Sequence, residues 1–328
     1  MQLDAALNPP SLRAVPALAR AAETAGFAGV WTTETQHSPF LPLPLIAEHT
    51  TRLQFGTAVA IAFARSPVTL AHTAWDLAAQ SGGRFQLGLG TQVKAHVERR
   101  FGQPWPESPV GKLREQILAL RAIWHCWQSG ERLNFRGEYY KLTLMTPFFN
   151  PGPIEHPAIP IYIAGVNPGL ARLAGEVCDG FHVHPFHTAA YLHDVLRPAI
   201  ATGAARAGRP AEAVQLAGSV FVISSAAERE QVRQQVAFYA STPSYRPVLV
   251  QHGWEEAGAR LSALAARGEW AAMPALVGDD MLAEFAVTAP PAELPAALRE
   301  RYSGLLDRVT LYRPYEPGVE WGKIVGHW

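Results

Sequence analysis

The sequence has no net charge, since 28 Lys and Arg balance 28 Asp and Glu. Neutrality removes the global basic field on which nucleic-acid binding depends. Cysteine is scarce: Cys126 and Cys178 are the only two. They cannot form a disulfide framework, and they suit a reducing cytosol where each packs as a small apolar residue. No apolar run reaches the roughly 18 residues of a membrane span. The opening MQLDAALNPP has no basic segment and no long apolar stretch, so no secretory leader is expected and a cytoplasmic location is. There is no P-loop, G-x-S-x-G or C-x-x-C, which leaves nucleotide hydrolysis, acyl transfer and dithiol chemistry without support. The 27 Gly and 27 Pro show no period, which excludes collagen-like and low-complexity architecture.

What is present is a 328-residue chain, 48% hydrophobic and 17% charged. That is too apolar for disorder, and long enough for two average domains or one large α/β barrel with insertions.

Strand and helix signals alternate. Strands are expected at Gln2 to Leu7, Ala28 to Thr33, Leu53 to Ala62, Arg84 to Leu89, Ile161 to Ala164, Gly180 to His184, Val214 to Ile223 and Asp307 to Tyr312. The near-continuous apolarity of Leu53 to Ala62 suits a parallel strand buried on both faces. Helices are expected after Ser11 as far as Ala25, then over Pro67 to Gln80, Lys112 to Trp127, Pro168 to Cys178, Ala189 to Ala207, Ala226 to Tyr239 and Ala292 to Tyr302. Leu113, Ile117, Leu120, Ile123, Trp124 and Trp127 form an amphipathic stripe that serves either core packing or a subunit interface. Residues from about 92 to 158 and from 241 to 285 interrupt the rhythm as insertions, the second mostly helical and placed to act as a lid. Eight strands is the number a closed (β/α)₈ TIM barrel requires, so one barrel domain over 1–328 is expected. An open doubly wound sheet is the alternative, but Val93 stands at the third position of Gly88-Leu89-Gly90-Thr91-Gln92-Val93, where a dinucleotide fingerprint has glycine.

Barrel active sites sit at the C-terminal strand ends. Those positions hold Glu34, Thr35, Gln36 and His37 after the second strand, and Thr57, Ala58 and Val59 in the third, with Arg65 beyond. They hold Gly90, Thr91, Gln92 and His96 after the fourth, Ala164, Gly165, Val166 and Asn167 after the fifth, and His184 and His187 after the sixth. Small residues, amides and histidines outnumber carboxylates. That suits a large planar anionic ligand better than hydrolysis by paired carboxylates. The Ala164–Asn167 loop leads into a helix that begins at Pro168. It is either a phosphate cradle at a helix N-terminus or a bare tight turn. His182-x-His184-x-x-His187 has metal-like spacing, but no matching His/Asp set appears at other strand ends, so no metal is expected.

Several blocks, read in order, resemble the luciferase-like monooxygenase superfamily, and within it the branch that uses the deazaflavin coenzyme F420. They are Ala28-Gly29-Val30-Trp31 with Glu34, Gly56-Thr57-Ala58-Val59, Arg65-Ser66-Pro67, Ser81-Gly82-Gly83-Arg84-Phe85 with Leu87-Gly88-Leu89-Gly90-Thr91, Ile161 to Gly165, and Ala174-Gly175-Glu176 with Asp179-Gly180-Phe181. The resemblance implies a barrel with the cofactor ring at its C-terminal mouth. It implies a bulge at Ala58-Val59, often with a non-prolyl cis peptide, behind the ring. It assigns cofactor contacts to Thr57, Ala58, Val59, Gly90, Thr91, Gln92, His96 and His184, with His96 and His184 also reserves for proton transfer, and the phosphate to Ala164, Gly165, Val166 and Asn167. It also implies a homodimer. The sugar-phosphate dehydrogenases of that branch carry an acidic residue with an adjacent His after the second strand and a Glu after the fourth. Here Thr35 follows Glu34, the nearest His is His37, and Val93 replaces the Glu.

The resulting expectation is an F420-dependent oxidoreductase that moves a hydride to or from a small organic substrate, with His37 or Glu34 assisting proton transfer. FMN with oxygen is the alternative cofactor chemistry. A metal-dependent barrel hydrolase using His182 and His184 and a non-catalytic cofactor binder are the readings of other classes.

Overall fold

A computed structural model describes residues 1–328. All eight expected strands form and close into a parallel barrel, an α/β TIM-barrel fold. They are β1 (Gln2–Leu7), β2 (Gly29–Thr32), β3 (Gln54–Thr57), β4 (Phe85–Gly90), β5 (Ile161–Gly165), β6 (Gly180–Val183), β7 (Gln215–Ile223) and β8 (Arg308–Pro314). Closure comes from β8 pairing with β1, Arg308 opposite Gln2, and from β6 pairing with β7, Gly180 opposite Gln215. The surrounding helices are α1 (Val15–Ala25), α2 (Leu43–His49), α3 (Pro67–Ser81), α4 (Pro109–Ser129), α5 (Pro168–Val177), α6 (Arg197–Arg206), α7 (Ala226–Ala240) and α8 (Leu294–Tyr302). None is long and apolar enough to cross a membrane.

Local chemistry explains most boundaries. Ser66 and Ser108 cap α3 and α4 by accepting from the amides of Thr69 and Gly111. Gly26 ends α1 in a left-handed conformation at φ 103°, as a C-terminal glycine can without a Cβ penalty. Ser11 makes no side-chain cap; a 3₁₀ turn over Leu12–Ala14 precedes α1 instead. The single strand expected over Leu53 to Ala62 is split. Pairing stops after Thr57, the Ala58–Val59 peptide is cis, and Ala60–Ile61 resumes beside Leu89 and Gly90. The helix expected over Ala189 to Ala207 contains a π turn at Leu192–Leu196.

The apolar stripe of α4 is core: Leu113, Ile117, Leu120, Ile123, Trp124 and Trp127 are all buried in the chain's main hydrophobic cluster. The stripe therefore supplies no subunit surface. Cys126 and Cys178 are likewise buried and unpaired, and burial pushes both thiols above their usual range.

Several elements were not anticipated, the short helix Lys94–Arg99 among them. A two-stranded hairpin joins Phe135–Arg136 to Lys141–Leu142, a short strand Ala286–Thr288 flanks β7, and a terminal helix Val319–Gly326 packs Trp321 against Phe27. The barrel interior also holds a charged layer. Arg308 makes two hydrogen bonds of 2.7 Å to the Asp4 carboxylate, its remaining nitrogen reaches Gln2 and Gln54, and Trp31 Nε1 donates to Asp4. This buried pair has its polar atoms satisfied, the condition under which such a pair is tolerated in a core.

Candidate functional site

The C-terminal strand ends enclose two adjoining cavities. The central one, about 470 Å³, lies over the barrel between β1, β2, β6, β7 and β8. The lateral one, about 530 Å³, runs over β4 and β5 toward the start of α4. Val59, Ala164 and His184 line both, so the cis-peptide bulge and the end of β6 form their common boundary. Each falls within the usual size range of small-molecule sites.

The bulge is packed by glycines on the neighbouring strand. A Cβ at Gly88 would stand 1.8 Å from the Thr57 carbonyl oxygen, and one at Gly90 would stand 2.6 Å from Val59 Cγ2. Only glycine permits this approach. Thr57 is fully buried and ties the two strands: its hydroxyl donates to Gly88 O at 2.6 Å and accepts from Gly88 N at 3.0 Å. It is a strut behind the wall and lines neither cavity, contrary to the contact role expected of it.

The loop into α5 is a donor cradle. No acceptor within the chain meets the backbone N–H groups of Val166, Asn167, Gly169 and Leu170. Asn167 donates from Nδ2 to Ser244 O at 3.0 Å, which leaves its buried Oδ1 without a partner. Gly165 gives the loop room, since a Cβ there would lie 2.9 Å from the Leu170 side chain. A helix N-terminus with free amides favours an anionic oxygen, and the orphaned Oδ1 calls for a hydroxyl or N–H donor.

Of the sequence-nominated residues, Ala58, Val59, Gly90, Thr91, Gln92, Ala164, Gly165, Val166, Asn167 and His184 all line these cavities. Gln92 holds a left-handed conformation at φ 62°, its side-chain oxygen accepting from Val93 N. His96 does not join them. It is exposed on the short helix Lys94–Arg99, and Val93 and Lys94 occupy the wall instead. His37 lies in a third cleft of about 450 Å³, which shares Leu7, Asn8, Thr33 and Thr35 with the central cavity.

Glu34 is placed otherwise than a free proton carrier would be. Its carboxylate accepts from both terminal nitrogens of Arg65 at 2.7 Å and from Ile61 N at 2.7 Å. These three donors fasten the loop after β2 to the strand beyond the bulge. The carboxylate is thus taken up by these donors and lines none of the three cavities.

His182 lies in β6 and is buried, as is His187 beyond it, while His184 at the strand's end is half-buried. His184 Nδ1 accepts from Phe186 N, which puts the ring proton on Nε2, 3.4 Å from the Tyr245 hydroxyl. Burial pushes its pKa down to about 3, with His187 adding to the effect. His187 Nδ1 bonds to His184 O, and its pKa is lowered to about 4 by burial. No group of three or more His, Cys, Asp or Glu side chains assembles in a metal-holding arrangement. His182 and His184 therefore lack the third ligand a hydrolytic centre needs.

Sequence reasoning missed much of the central cavity, including Trp31, Ser219, Thr310, Tyr312 and Arg313. Trp31 and the β8 residues lie inside strands read only as scaffold. The 241–285 insertion reaches the lateral cavity only through Ser244 and Tyr245, so its lid role narrows to that corner.

Comparison with known proteins places this geometry among relatives. The luciferase-like monooxygenase family model matches residues 1–308. An uncharacterized protein of Mycobacterium tuberculosis is 46% identical over 304 residues, 89% of each chain. A 5,10-methylenetetrahydromethanopterin reductase of Methanolobus tindarius is 29% identical over 94% of this chain and 93% of its own. An F420-dependent glucose-6-phosphate dehydrogenase of Nakamurella multipartita is 31% identical over 68% of this chain and 67% of its own. Among solved structures, the coenzyme F420 dependent tetrahydromethanopterin reductase of Methanopyrus kandleri superposes with a TM-score of 0.80 at 22% identity, covering 99% and 97% of the two chains.

Proposed function

The chain belongs to the luciferase-like monooxygenase family, and from that premise we propose that it is an oxidoreductase that binds coenzyme F420 and passes a hydride between it and a small organic molecule. The observation that carries this reading is the donor cradle of four free amides beside the orphaned Asn167 Oδ1, next to a wall of glycine and alanine. The F420-dependent relative supports the choice of cofactor. The amides of Val166, Asn167, Gly169 and Leu170 would hold the phosphate, and Asn167 Oδ1 a hydroxyl of the side chain. Ala58, Val59, Gly90, Thr91 and Ala164 would bound the ring. When bound, the deazaflavin supplies a two-electron hydride donor or acceptor.

The residues of this chain supply orientation and exclusion of water. The Thr57 strut and the Glu34–Arg65 clamp hold the bulge rigid from both sides. His184 presents a fixed neutral N–H toward Tyr245 and adds no charge to the ring's surroundings. His37, in the cleft that joins the central cavity through Thr33 and Thr35, is the group left to carry the proton.

FMN with oxygen is the second reading, because the same cradle fits its phosphate and the family name denotes monooxygenases. Gly165→Asp tests the cradle for either cofactor, because a side chain there would stand 2.9 Å from that of Leu170 and must displace the first helical turn that carries the Gly169 and Leu170 amides. Fluorescence titration should show cofactor binding lost in a chain that still melts cooperatively. Unchanged affinity would remove the phosphate assignment.

A further inference from the structure

We infer that the central cavity takes an uncharged, mainly apolar substrate whose polar group hydrogen-bonds to the His182 imidazole. This deepens the proposed function and rests on it, in that the cavity lies beside the wall assigned to the cofactor.

The cavity's charge carries the first half. Arg313 is its only charged lining side chain, and two carboxylates flank it: Nη1 donates to Glu228 at 2.7 Å, and Nη2 lies 2.7 Å from Glu320 in an ion pair without a hydrogen bond. Those two carboxylates outweigh the single positive charge of Arg313, so a phosphate or carboxylate would meet no net cation and would bear most of its desolvation cost there. The rest of the lining is apolar or carries uncharged hydroxyls and amides, with Trp31, Leu311 and Ala217 facing Ser219 and Thr310. Such a surface rejects charge and accepts a compact carbon skeleton.

His182 carries the second half. It stands on β6 with its ring 5.1 Å from that of Trp31 and 5.0 Å from that of Tyr162. It is 8% exposed and lines the cavity, yet its Nε2 has no hydrogen-bond partner. Burial holds the imidazole neutral, with a pKa pushed down to about 3. A neutral imidazole offers both a donor and an acceptor, so it suits an alcohol or a ketone equally. Buried polar groups in native structures are ordinarily satisfied, and a ligand oxygen supplies the partner missing here. On one side Nε2 packs against Gly88, where a Cβ would stand 3.0 Å from it.

The test uses the full chain with cyclohexanol and glucose 6-phosphate as probes and calorimetry as the readout. Imidazole ¹⁵N spectra assign His182 by comparison with His182→Phe. We expect cyclohexanol to bind and shift the His182 resonances, and glucose 6-phosphate not to compete. His182→Phe keeps the aromatic packing and should weaken cyclohexanol binding about tenfold, the value of one neutral hydrogen bond. His182→Asn should recover part of the loss, and F420 affinity should stay the same in both. Three results would overturn the inference: glucose 6-phosphate binding as tightly as cyclohexanol, no binding of cyclohexanol, or no effect of His182→Phe. A fall in F420 affinity in His182→Phe would reassign the imidazole to the cofactor and overturn it too. Failure of the wild-type chain to bind F420, with the probe results as expected, would sink the cofactor reading and leave the substrate class standing.

Discussion

Glu34→Gln separates a positioning carboxylate from a proton-carrying one. In the structure Glu34 accepts 2.7 Å hydrogen bonds from Ile61 N and from both terminal nitrogens of Arg65, with only 7% of its own side chain and 20% of that of Arg65 exposed. Glutamine keeps one acceptor oxygen but turns an NH₂ toward a guanidinium whose other hydrogen-bond partner is the Ile61 carbonyl alone. Removing one partner of a mostly buried pair costs about 3 kcal/mol. For a chain of this size that is a fall of roughly 6 °C in melting temperature, at about 2 °C per kcal/mol. Arg65→Met should cost a similar amount, because it strands the carboxylate. The double variant should cost less than the sum of the two by about 2 kcal/mol, since the second substitution removes a charge the first had already orphaned. Urea denaturation of the four proteins measures this coupling directly. Cofactor affinity should fall in both single variants, because the clamp holds the strand that follows the bulge. The reasoning is refuted if the stabilities are additive, or if Glu34→Gln leaves stability and affinity intact and removes only one limb of the rate–pH profile.

Other expectations follow from the same structure. His182, His184 and His187 are held neutral with pKa values near 3, 3 and 4. The unfolded chain protonates them near pH 6.5 while the folded chain does not, so stability falls as pH drops below about 6.5 and goes on falling toward about pH 4. Each histidine contributes about 1.4 kcal/mol per pH unit within that window. Urea midpoints at pH 7, 6 and 5 check this, and a midpoint that stays level would contradict the buried neutral state. Gly88→Ala sets a Cβ 1.8 Å from the Thr57 carbonyl oxygen, so it should destabilise by about 3 kcal/mol or more and disturb cofactor binding with it. A variant with wild-type stability would show that β3 can yield. His37→Gln should slow steady-state turnover while leaving cofactor affinity and stability unchanged; unaltered turnover would remove His37 from proton transfer.

The barrel was legible because each parallel strand is an apolar run bounded by turn residues. Leu87, Leu89, Ile161 and Ile163 are buried where that pattern places them. The resemblance located the bulge at Ala58–Val59, and the glycines at 88 and 90 are the physical reason it fits. Less could be read where function depends on which face of a strand points inward and on contacts distant in sequence. Glu34 looked free until Arg65, 31 residues away, closed on it. Thr57 turned behind the wall and His96 turned to solvent, because a position at a strand end does not say which way its side chain points. Asp4 and Arg308 meet only through closure of the barrel, across 304 residues of sequence. Asn167 was nominated for its place before a helix, and the partner that fixes its amide, Ser244, comes from an insertion read as a lid.

The central claim is that the barrel mouth is a deazaflavin site. Parallel equilibrium titrations of the purified chain with oxidised coenzyme F420 and with FMN, followed by fluorescence, test it most directly. The account predicts saturable binding of F420 with one cofactor per chain, abolished in Gly165→Asp, and much weaker binding of FMN. Tight binding of FMN with oxygen consumption on reduction, while F420 stays free in solution, would contradict it.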